Sequence, residues 1–196
     1  HDWLGRLVAP FSDERIASVT GLVLAADLDT PSSVYFQTSG GLGGSYLPLR
    51  FDDEFYRASL PRGVPVWRIG AGANMAVRRS SLVRVGGFDE RLGAGASGCS
   101  EDSELWYRLL AADEHCVNEP LAIVWHRHRE SMADLRRQLH AYQRGHVSAL
   151  VVQSDRHQHV GNRVRAFRQL PAHFARRGRW LLLHPRVGTA SLYLAE

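Results

Sequence analysis

The apolar and polar positions of the chain divide it into helical and extended segments. Apolar residues recur at helical spacing in several stretches, which predicts amphipathic helices. The predicted helices cover residues 3–11, 80–85, 101–112 and 132–150. Runs rich in apolar and β-branched residues predict strands. The predicted strands cover residues 16–25, 66–69, 116–118 and 121–125, with Pro120 separating the last two.

Two regions show neither the helical spacing of apolar residues nor the apolar runs of a strand. Residues 31–65 contain two glycine pairs, several prolines and the acidic run Asp52-Asp53-Glu54. This composition predicts a long irregular connection, and connections of that length inside a domain often carry function. Residues 163–183 mix arginines with apolar side chains, and Pro171 and Gly178 predict breaks between helical pieces there.

Composition narrows the classes of function. The chain has 196 residues, of which 44% are hydrophobic and 22% charged, as is typical of a folded domain. All 24 basic residues are arginines, which excludes Schiff-base and pyridoxal enzymes and lysine-containing phosphate loops. Cys99 and Cys116 are too few for a Cys-only zinc site, an iron–sulfur cluster or a disulfide scaffold. We expect free thiols and a cytoplasmic location.

Charge is unevenly distributed along the chain. Residues 1–150 carry 16 arginines against 18 acidic residues, whereas residues 151–196 carry 8 arginines against 2. A basic tail is typical of proteins that bind anionic lipid, nucleic acid or an acidic partner, although a solvated helix face has the same composition. The tail has no nucleic-acid recognition pattern, so we expect no such partner. Apolar runs are too short to cross a bilayer, and the first residues do not resemble a secretory leader.

An acidic pair lies where a glycine-rich loop meets a helix. Glu101 and Asp102 follow residues 93–100 and begin the predicted helix. Backbone N–H groups at a helix start favour an ionised carboxylate, which beside a mobile loop suits a general base. Capping of the helix is the alternative, because acidic residues are common in a first turn whatever the function.

Three further motifs have a chemical and a structural interpretation. His126 and His128 have metal-ligand spacing at a strand end, but ordinary histidines have the same spacing. The segment 70–75 lacks the third glycine of a dinucleotide loop, so it indicates either close backbone approach to a ligand or a tight turn. Asp27 and Asp29 form an Asp-x-Asp at a strand end that could hold a divalent cation.

Six segments, taken in order, resemble a known family. They are GAGANMAVRR (70–79), VGGFDERLGAG (85–95), SED (100–102), RLL (108–110), EP (119–120) and VWHRHR (124–129). This set resembles the C-terminal half of family 2 glycosyltransferases, and the resemblance covers residues 1–150. It implies an α/β fold: part of a GT-A domain, Rossmann-like, with a mixed sheet flanked by helices. Residues 151–196 would form a basic helical extension.

The resemblance implies roles for individual residues. Asp102 would be the catalytic base, with Glu101 beside it in the acceptor site. The substrate-binding residues would be Gly70, Gly72 and Asn74 near the donor sugar, together with Trp67 and Arg129. His126, or His128 in its place, would help to hold Mg²⁺ or Mn²⁺ or the donor diphosphate. Cys99-Ser100 stands where the family often has glycine, which we expect to stiffen the acceptor loop.

The implied reaction is an inverting hexosyl transfer from a nucleotide-sugar to a hydroxyl of a saccharide or lipid-linked acceptor. Such a reaction needs a base for the hydroxyl proton and a cation for the departing diphosphate. We expect a cytoplasmic protein, peripheral at the inner face of the cell membrane through its basic tail. Two alternatives remain open: a metal-dependent hydrolase using His126 and His128, and a non-catalytic membrane-surface binding module.

The chain also departs from the family pattern. It begins just after the position of the family's metal-binding Asp-x-Asp, and Asp27 and Asp29 lie too late in the sequence to replace that motif. We therefore expect the nucleotide-binding half to be missing and the isolated chain to be nearly inactive. A sheet without its first strands exposes an edge and an apolar face, which predicts a homo-oligomer.

Overall fold

The computed structural model describes residues 2–183 of the chain, apart from the side chains of residues 181 and 182. The strands of this range are β1 (Ile16–Ala25), β2 (Leu49–Phe51), β3 (Met75–Val77) and β4 (His115–His126). Its α-helices are α1 (Trp3–Val8), α2 (Pro31–Thr38), α3 (Asp53–Ser59), α4 (Arg79–Arg84), α5 (Glu101–Ala111), α6 (Met132–His157), α7 (Val160–Val164) and α8 (Leu170–Leu183).

The four strands form one mixed sheet in the order β2-β4-β1-β3. The two long inner strands, β1 and β4, are parallel, whereas the short outer strands pair antiparallel with them. Parallel pairing places the last residues of β1 and β4, Ala25 and His126, side by side at one edge of the sheet. The predicted α/β fold with a mixed sheet is confirmed, and this edge positions His126.

Helices cover both faces of the sheet. On one face, α5 is buried along its whole length from Ser103 to Leu110, and the indole Nε1 of Trp106 donates to Ser18 Oγ at 3.0 Å. On the other face, Leu7 of α1 packs against β1 and β4 in a smaller apolar cluster. Because α5 cannot move without opening the main core, the acidic residues at its start are held on a rigid support.

A buried ion-pair network joins α5 to α6. Arg108 contacts Glu104 one turn earlier at 2.6 Å, and both side chains are buried. Arg156 of α6 reaches Glu104 at 3.3 Å and Asp89 at 3.1 Å. Asp89 belongs to the Gly-Gly-Phe-Asp-Glu segment, and hydrogen bonds from Arg91 lower its pKa to about 2. This segment of the resemblance therefore has a structural role, because it ties α6 to the loop before α5.

The C-terminal part is helical, as predicted, but its helices differ in extent from the expectation. Helix α6 runs to His157, so residue 150, the predicted domain boundary, lies inside it. A π-helical turn at Arg165–Gln169 joins α7 to α8. Pro171 is the second residue of α8, where its missing N–H costs little, and Gly178 does not interrupt the helix. Within residues 2–183, no helix is both long and apolar enough to span a membrane.

Three further sequence-based assignments of secondary structure were wrong. Residues 31–65 are not an irregular connection, because Thr30 and Asp52 cap helices α2 and α3 and β2 lies between them. Residues 66–69 are not a strand, because Val66–Arg68 forms a 3₁₀ turn after Pro65. Residues 115–126 form one strand, because a bulge between Glu119 and Ile123 accommodates Pro120.

The cysteines are free, as predicted. Cys116 is buried in the core beside α5, and burial raises the pKa of its thiol. Cys99 is half-buried, and its pKa is likewise raised by burial. Neither thiol is an activated nucleophile, since activation requires a lowered pKa.

Candidate active-site cleft

A cleft of about 730 Å³ opens where the glycine loop, the start of α5 and the C-terminal helices meet. Both members of the acidic pair and the histidine at the end of β4 line it. Its lining comprises residues 39–43, Trp67, residues 70–73, residues 99–103, His126, Tyr142, Gln143, His146, Arg165, Leu170, His173 and Phe174. The volume lies within the usual range for small-molecule sites.

Asp102 is held by two backbone hydrogen bonds. Its Oδ2 accepts from the Gly72 N–H at 2.8 Å, and its Oδ1 accepts from the Ser103 N–H at 2.6 Å. A Cβ on Gly72 would lie 3.0 Å from Oδ2, so an alanine there would displace the carboxylate by a few tenths of an ångström. Each carboxylate oxygen keeps a second lone pair, so the side chain can still accept a proton from a ligand.

Glu101 presents an unpartnered oxygen. Its Oε2 is buried and has no hydrogen-bond partner among residues 2–183. The carboxylate packs against Gly93, where a Cβ would lie 3.2 Å from Oε2. A buried carboxylate oxygen without a donor is costly, so a hydroxyl group of a bound ligand would stabilise it.

The turn into α5 is constrained at Ser100. This residue has φ 74°, in the left-handed region that favours glycine. A non-glycine residue there costs of the order of 1 kcal/mol, which the surrounding packing must offset. Cys99 Sγ lies 3.5 Å from the Tyr142 carbonyl oxygen of α6, so the loop before Asp102 is also held from α6.

The two predicted metal-binding histidines lie next to each other but have different surroundings. The ring centroids of His126 and His128 are 5.4 Å apart. His126 lines the cleft and its Nδ1 is buried without a partner among the described residues, whereas His128 is buried against Phe36 with its Nε2 3.2 Å from Gln37 Oε1. Burial, and then the charge of Arg129, lowers the pKa of His126. At neutral pH it is therefore an uncharged imidazole able to bind a metal or a hydrogen-bond donor.

Asn74 is placed differently from the prediction. It is 1% exposed and does not line the cleft. Its Nδ2 donates to the carbonyl oxygens of Leu22 and Ala122 at 3.1 and 2.8 Å, and its Oδ1 accepts from Trp3 Nε1 at 2.9 Å. These bonds use both amide hydrogens and the oxygen to anchor the glycine loop to β1 and β4, so the predicted contact of Asn74 with the donor sugar is wrong.

The other predicted substrate-binding residues lie in the cleft or near it. Gly70 and Gly72 line it, and so does Trp67, whose indole is 38% exposed. Arg129 is exposed and does not line the cleft, but after burial its charge is the second cause that lowers the pKa of His126, which does. Arg129 therefore lies outside the cleft and acts on it through its charge.

The described residues do not provide a complete metal site. Within residues 2–183, no three His, Cys, Asp or Glu side chains lie close enough together to bind a metal ion. A metal-dependent hydrolase would need His126, His128 and a carboxylate around one metal ion. This alternative therefore has no ligand set in this part of the chain. Asp27 does not line the cleft either, since it lies 3.6 Å from Arg127 in an exposed ion pair.

The residues that form one wall of the cleft were not predicted from the sequence. Tyr142 and His146 of α6, Arg165 of the π-helical turn and His173 of α8 belong to it. Their sequence signal was present but ambiguous, because histidines and aromatics among arginines also suit a solvated basic tail. Their place in the cleft is visible only in the fold, where α6 brings the C-terminal helices back to the glycine loop.

Comparison with known proteins gives a distant relationship. Two curated relatives, both named pre-mycofactocin glycosyltransferase and from two strains of Mycobacterium tuberculosis, are each 31% identical to the chain over 136 residues. The match covers 67% of this chain and 25% of each relative, so the chain spans about a quarter of the length of the curated relatives it matches. No family model matches, and no solved structure does so significantly. The similarity supports a relationship with glycosyltransferases.

Proposed function

We propose that the chain forms the acceptor side of an inverting glycosyltransferase of family 2 with the GT-A fold. It would transfer a hexose from a nucleotide-sugar to an acceptor hydroxyl. The observation that carries the proposal is the shared cleft: Asp102 and Glu101 line the same space as His126, although they are separated by a helix and a strand. The relationship with glycosyltransferases supports glycosyl transfer as the reaction class.

Asp102 acts as the general base in this proposal. Its carboxylate removes the proton of the acceptor hydroxyl as that oxygen attacks the anomeric carbon. The new C–O bond forms while the bond to the diphosphate oxygen breaks, and its electron pair leaves with the nucleoside diphosphate. The Gly72 N–H fixes the direction of the carboxylate, and such positioning is a large part of the advantage of an enzyme.

Glu101 and the indole of Trp67 hold the substrates. The unpartnered Oε2 of Glu101 accepts a hydrogen bond from a second acceptor hydroxyl. Trp67 gives an apolar surface for a sugar ring, and Gly70 lines the cleft with its backbone while its missing side chain leaves room for Thr20. Arg129 contributes positive charge near His126, where the donor diphosphate would lie.

Mg²⁺ or Mn²⁺ is proposed as the cofactor, with His126 as its contact on this chain. The unpartnered Nδ1 of His126 is compatible with such a contact. The described residues supply no complete ligand set, so the other ligands would have to include diphosphate oxygens.

A cytoplasmic location at the inner membrane face is proposed from the surface of α8. Arg176, Arg179 and Trp180 are exposed on this helix, a combination that suits an anionic lipid surface. Co-sedimentation with anionic but not neutral vesicles, weakening as salt is raised, is the expected result. Equal binding to neutral vesicles, or none to either, would contradict the proposal.

Self-association is proposed from exposed apolar side chains around the sheet. Leu4, Leu121 and Trp125 are 59%, 57% and 64% exposed. Large exposed apolar groups of this kind favour an interface. Light scattering is expected to show a homo-oligomer that dissociates in Trp125→Glu, and a monomer at all concentrations would contradict the proposal.

The transferase proposal is tested with a panel of nucleotide-sugars and Mn²⁺ or Mg²⁺. The 196-residue chain and the full protein that contains it, if longer, are incubated with saccharide and lipid-linked acceptors, and products are identified by mass spectrometry and NMR. The expected product has the inverted anomeric configuration, with the full protein far more active. Release of free sugar alone would indicate a hydrolase, and retained configuration would exclude the proposed mechanism.

A further inference from the structure

A guanidinium without a carboxylate partner lies in the C-terminal wall of the cleft. The Cζ of Arg165 is 4.0 Å from the centroid of the Trp67 ring. Its Nε is buried and has no hydrogen-bond partner within residues 2–183. The salt bridges of that part of the chain do not include Arg165 either. Arginine stays charged in proteins, so this half-buried cation lacks a counter-charge.

The fold builds this position tightly. Arg165 follows α7, and a Cβ on Gly161 of that helix would lie 1.7 Å from the Leu60 carbonyl oxygen. Gly63 leaves room for the Arg165 stem, since a Cβ there would lie 3.1 Å from the Cβ and Cδ of Arg165. The Val64 N–H donates to Asn162 Oδ1 at 3.2 Å. Arg165 is therefore fixed over Trp67 by its backbone rather than by surface charge pairing.

Two groups of the same wall, His146 and Gln143, add no counter-charge. His146 meets the Trp67 ring edge-on, with ring centroids 5.1 Å apart. Burial, and then the charge of Arg165, lowers the pKa of His146 to about 4, so the imidazole is neutral. Gln143 lines the same cleft and offers an amide donor. The wall thus holds one fixed cation, neutral donors and an aromatic face.

We propose that Arg165 binds a phosphate or carboxylate group of a substrate in the cleft. A guanidinium recognises such groups through paired N–H donors, and the Trp67 ring limits the orientations it can take. Binding of the anion rests on the geometry alone, whereas its assignment to a substrate rests on the proposed function. The group belongs either to an acidic acceptor or to the diphosphate of the donor.

The anion site is tested by NMR on the side-chain Nε–H signals of arginine in the 196-residue chain. The Arg165 signal is identified by its loss in Arg165→Gln, and inorganic phosphate, acetate and sodium chloride are titrated at matched ionic strength. A saturable shift with phosphate or acetate but not with chloride is expected. Arg168→Gln, a substitution of a nearby exposed arginine, should leave the shift intact. No saturable shift in the wild-type chain overturns the site.

The source of the anion is tested by binding in solution. UDP and GDP represent the donor, and glucose 6-phosphate and glucuronate represent an acidic acceptor, with glucose as the neutral control. Arg165→Gln is expected to weaken one of these groups about tenfold, the loss of a charge-assisted bond, and to leave glucose unchanged. Unchanged affinity for all four overturns the substrate assignment, although the NMR shift would persist. Absence of sugar transfer with intact anion binding would overturn the proposed function instead.

Discussion

Replacing Asn74 by alanine should lower the free energy of unfolding without removing any residue that lines the cleft. The substitution removes two hydrogen bonds to the carbonyl oxygens of Leu22 and Ala122 and one from the indole of Trp3. At about 1 kcal/mol for each bond, and more for a buried group left without a partner, the loss is about 3 kcal/mol and at most about 5. For a chain of this size that loss corresponds to a fall in Tm of roughly 6–12 °C.

Urea unfolding followed by circular dichroism measures this loss. Glu90→Ala, at an exposed position, is the control and should change the free energy of unfolding by less than about 0.5 kcal/mol. Asn74→Asp should be at least as damaging as Asn74→Ala, since a carboxylate oxygen would face a carbonyl oxygen. A change below about 1 kcal/mol, with donor affinity lost in the folded variant, would refute the structural role and restore Asn74 to the substrate site.

The remaining predictions concern the cleft. Gly72→Ala places a Cβ 3.0 Å from Asp102 Oδ2, so turnover should fall up to about 100-fold while unfolding changes little; unchanged turnover would contradict the positioning role. His146 has a pKa lowered from 6.5 to about 4, so the unfolded state binds more protons and stability should fall by up to about 3 kcal/mol as pH drops from 6.5 to 4. His146→Gln should flatten that acid limb of the urea-unfolding profile, and an unaltered limb would contradict it. Mn²⁺ alone should not bind saturably by calorimetry, because the described residues lack a ligand set; tight binding without nucleotide would contradict this.

The sequence pattern was sufficient to predict those elements whose apolar residues follow a single period and whose ends are clearly marked. Residues 16–25 were predicted as a strand and form β1, and residues 101–112 were predicted as a helix and form α5 within one residue. The glycine loop and the acidic pair were also identified from sequence, and the fold brings them together through the bond between Gly72 and Asp102.

Long-range packing decided the features that the pattern could not. Pro120 predicts a strand break, but β4 continues past it through a bulge because it pairs with β1 on both sides. Asn74 reads as a loop residue open to ligand, yet its amide is used by two strands and Trp3. Arg165 reads as part of a basic tail, and only its contact with Trp67, 98 residues earlier in the chain, distinguishes it from the exposed arginines.

The role of Asp102 as the general base is tested by Asp102→Asn. The substitution keeps the shape of the side chain and removes its capacity to take a proton. It also replaces one of the two oxygens that accept from the Gly72 and Ser103 N–H groups by an amide donor. Both Asp102→Asn and the control Asp29→Asn, which lies outside the cleft, are made in the full protein that contains the chain. The kcat for sugar transfer is expected to fall by about 10²- to 10⁴-fold in Asp102→Asn and to stay unchanged in the control. Full transfer activity in folded Asp102→Asn would contradict the account.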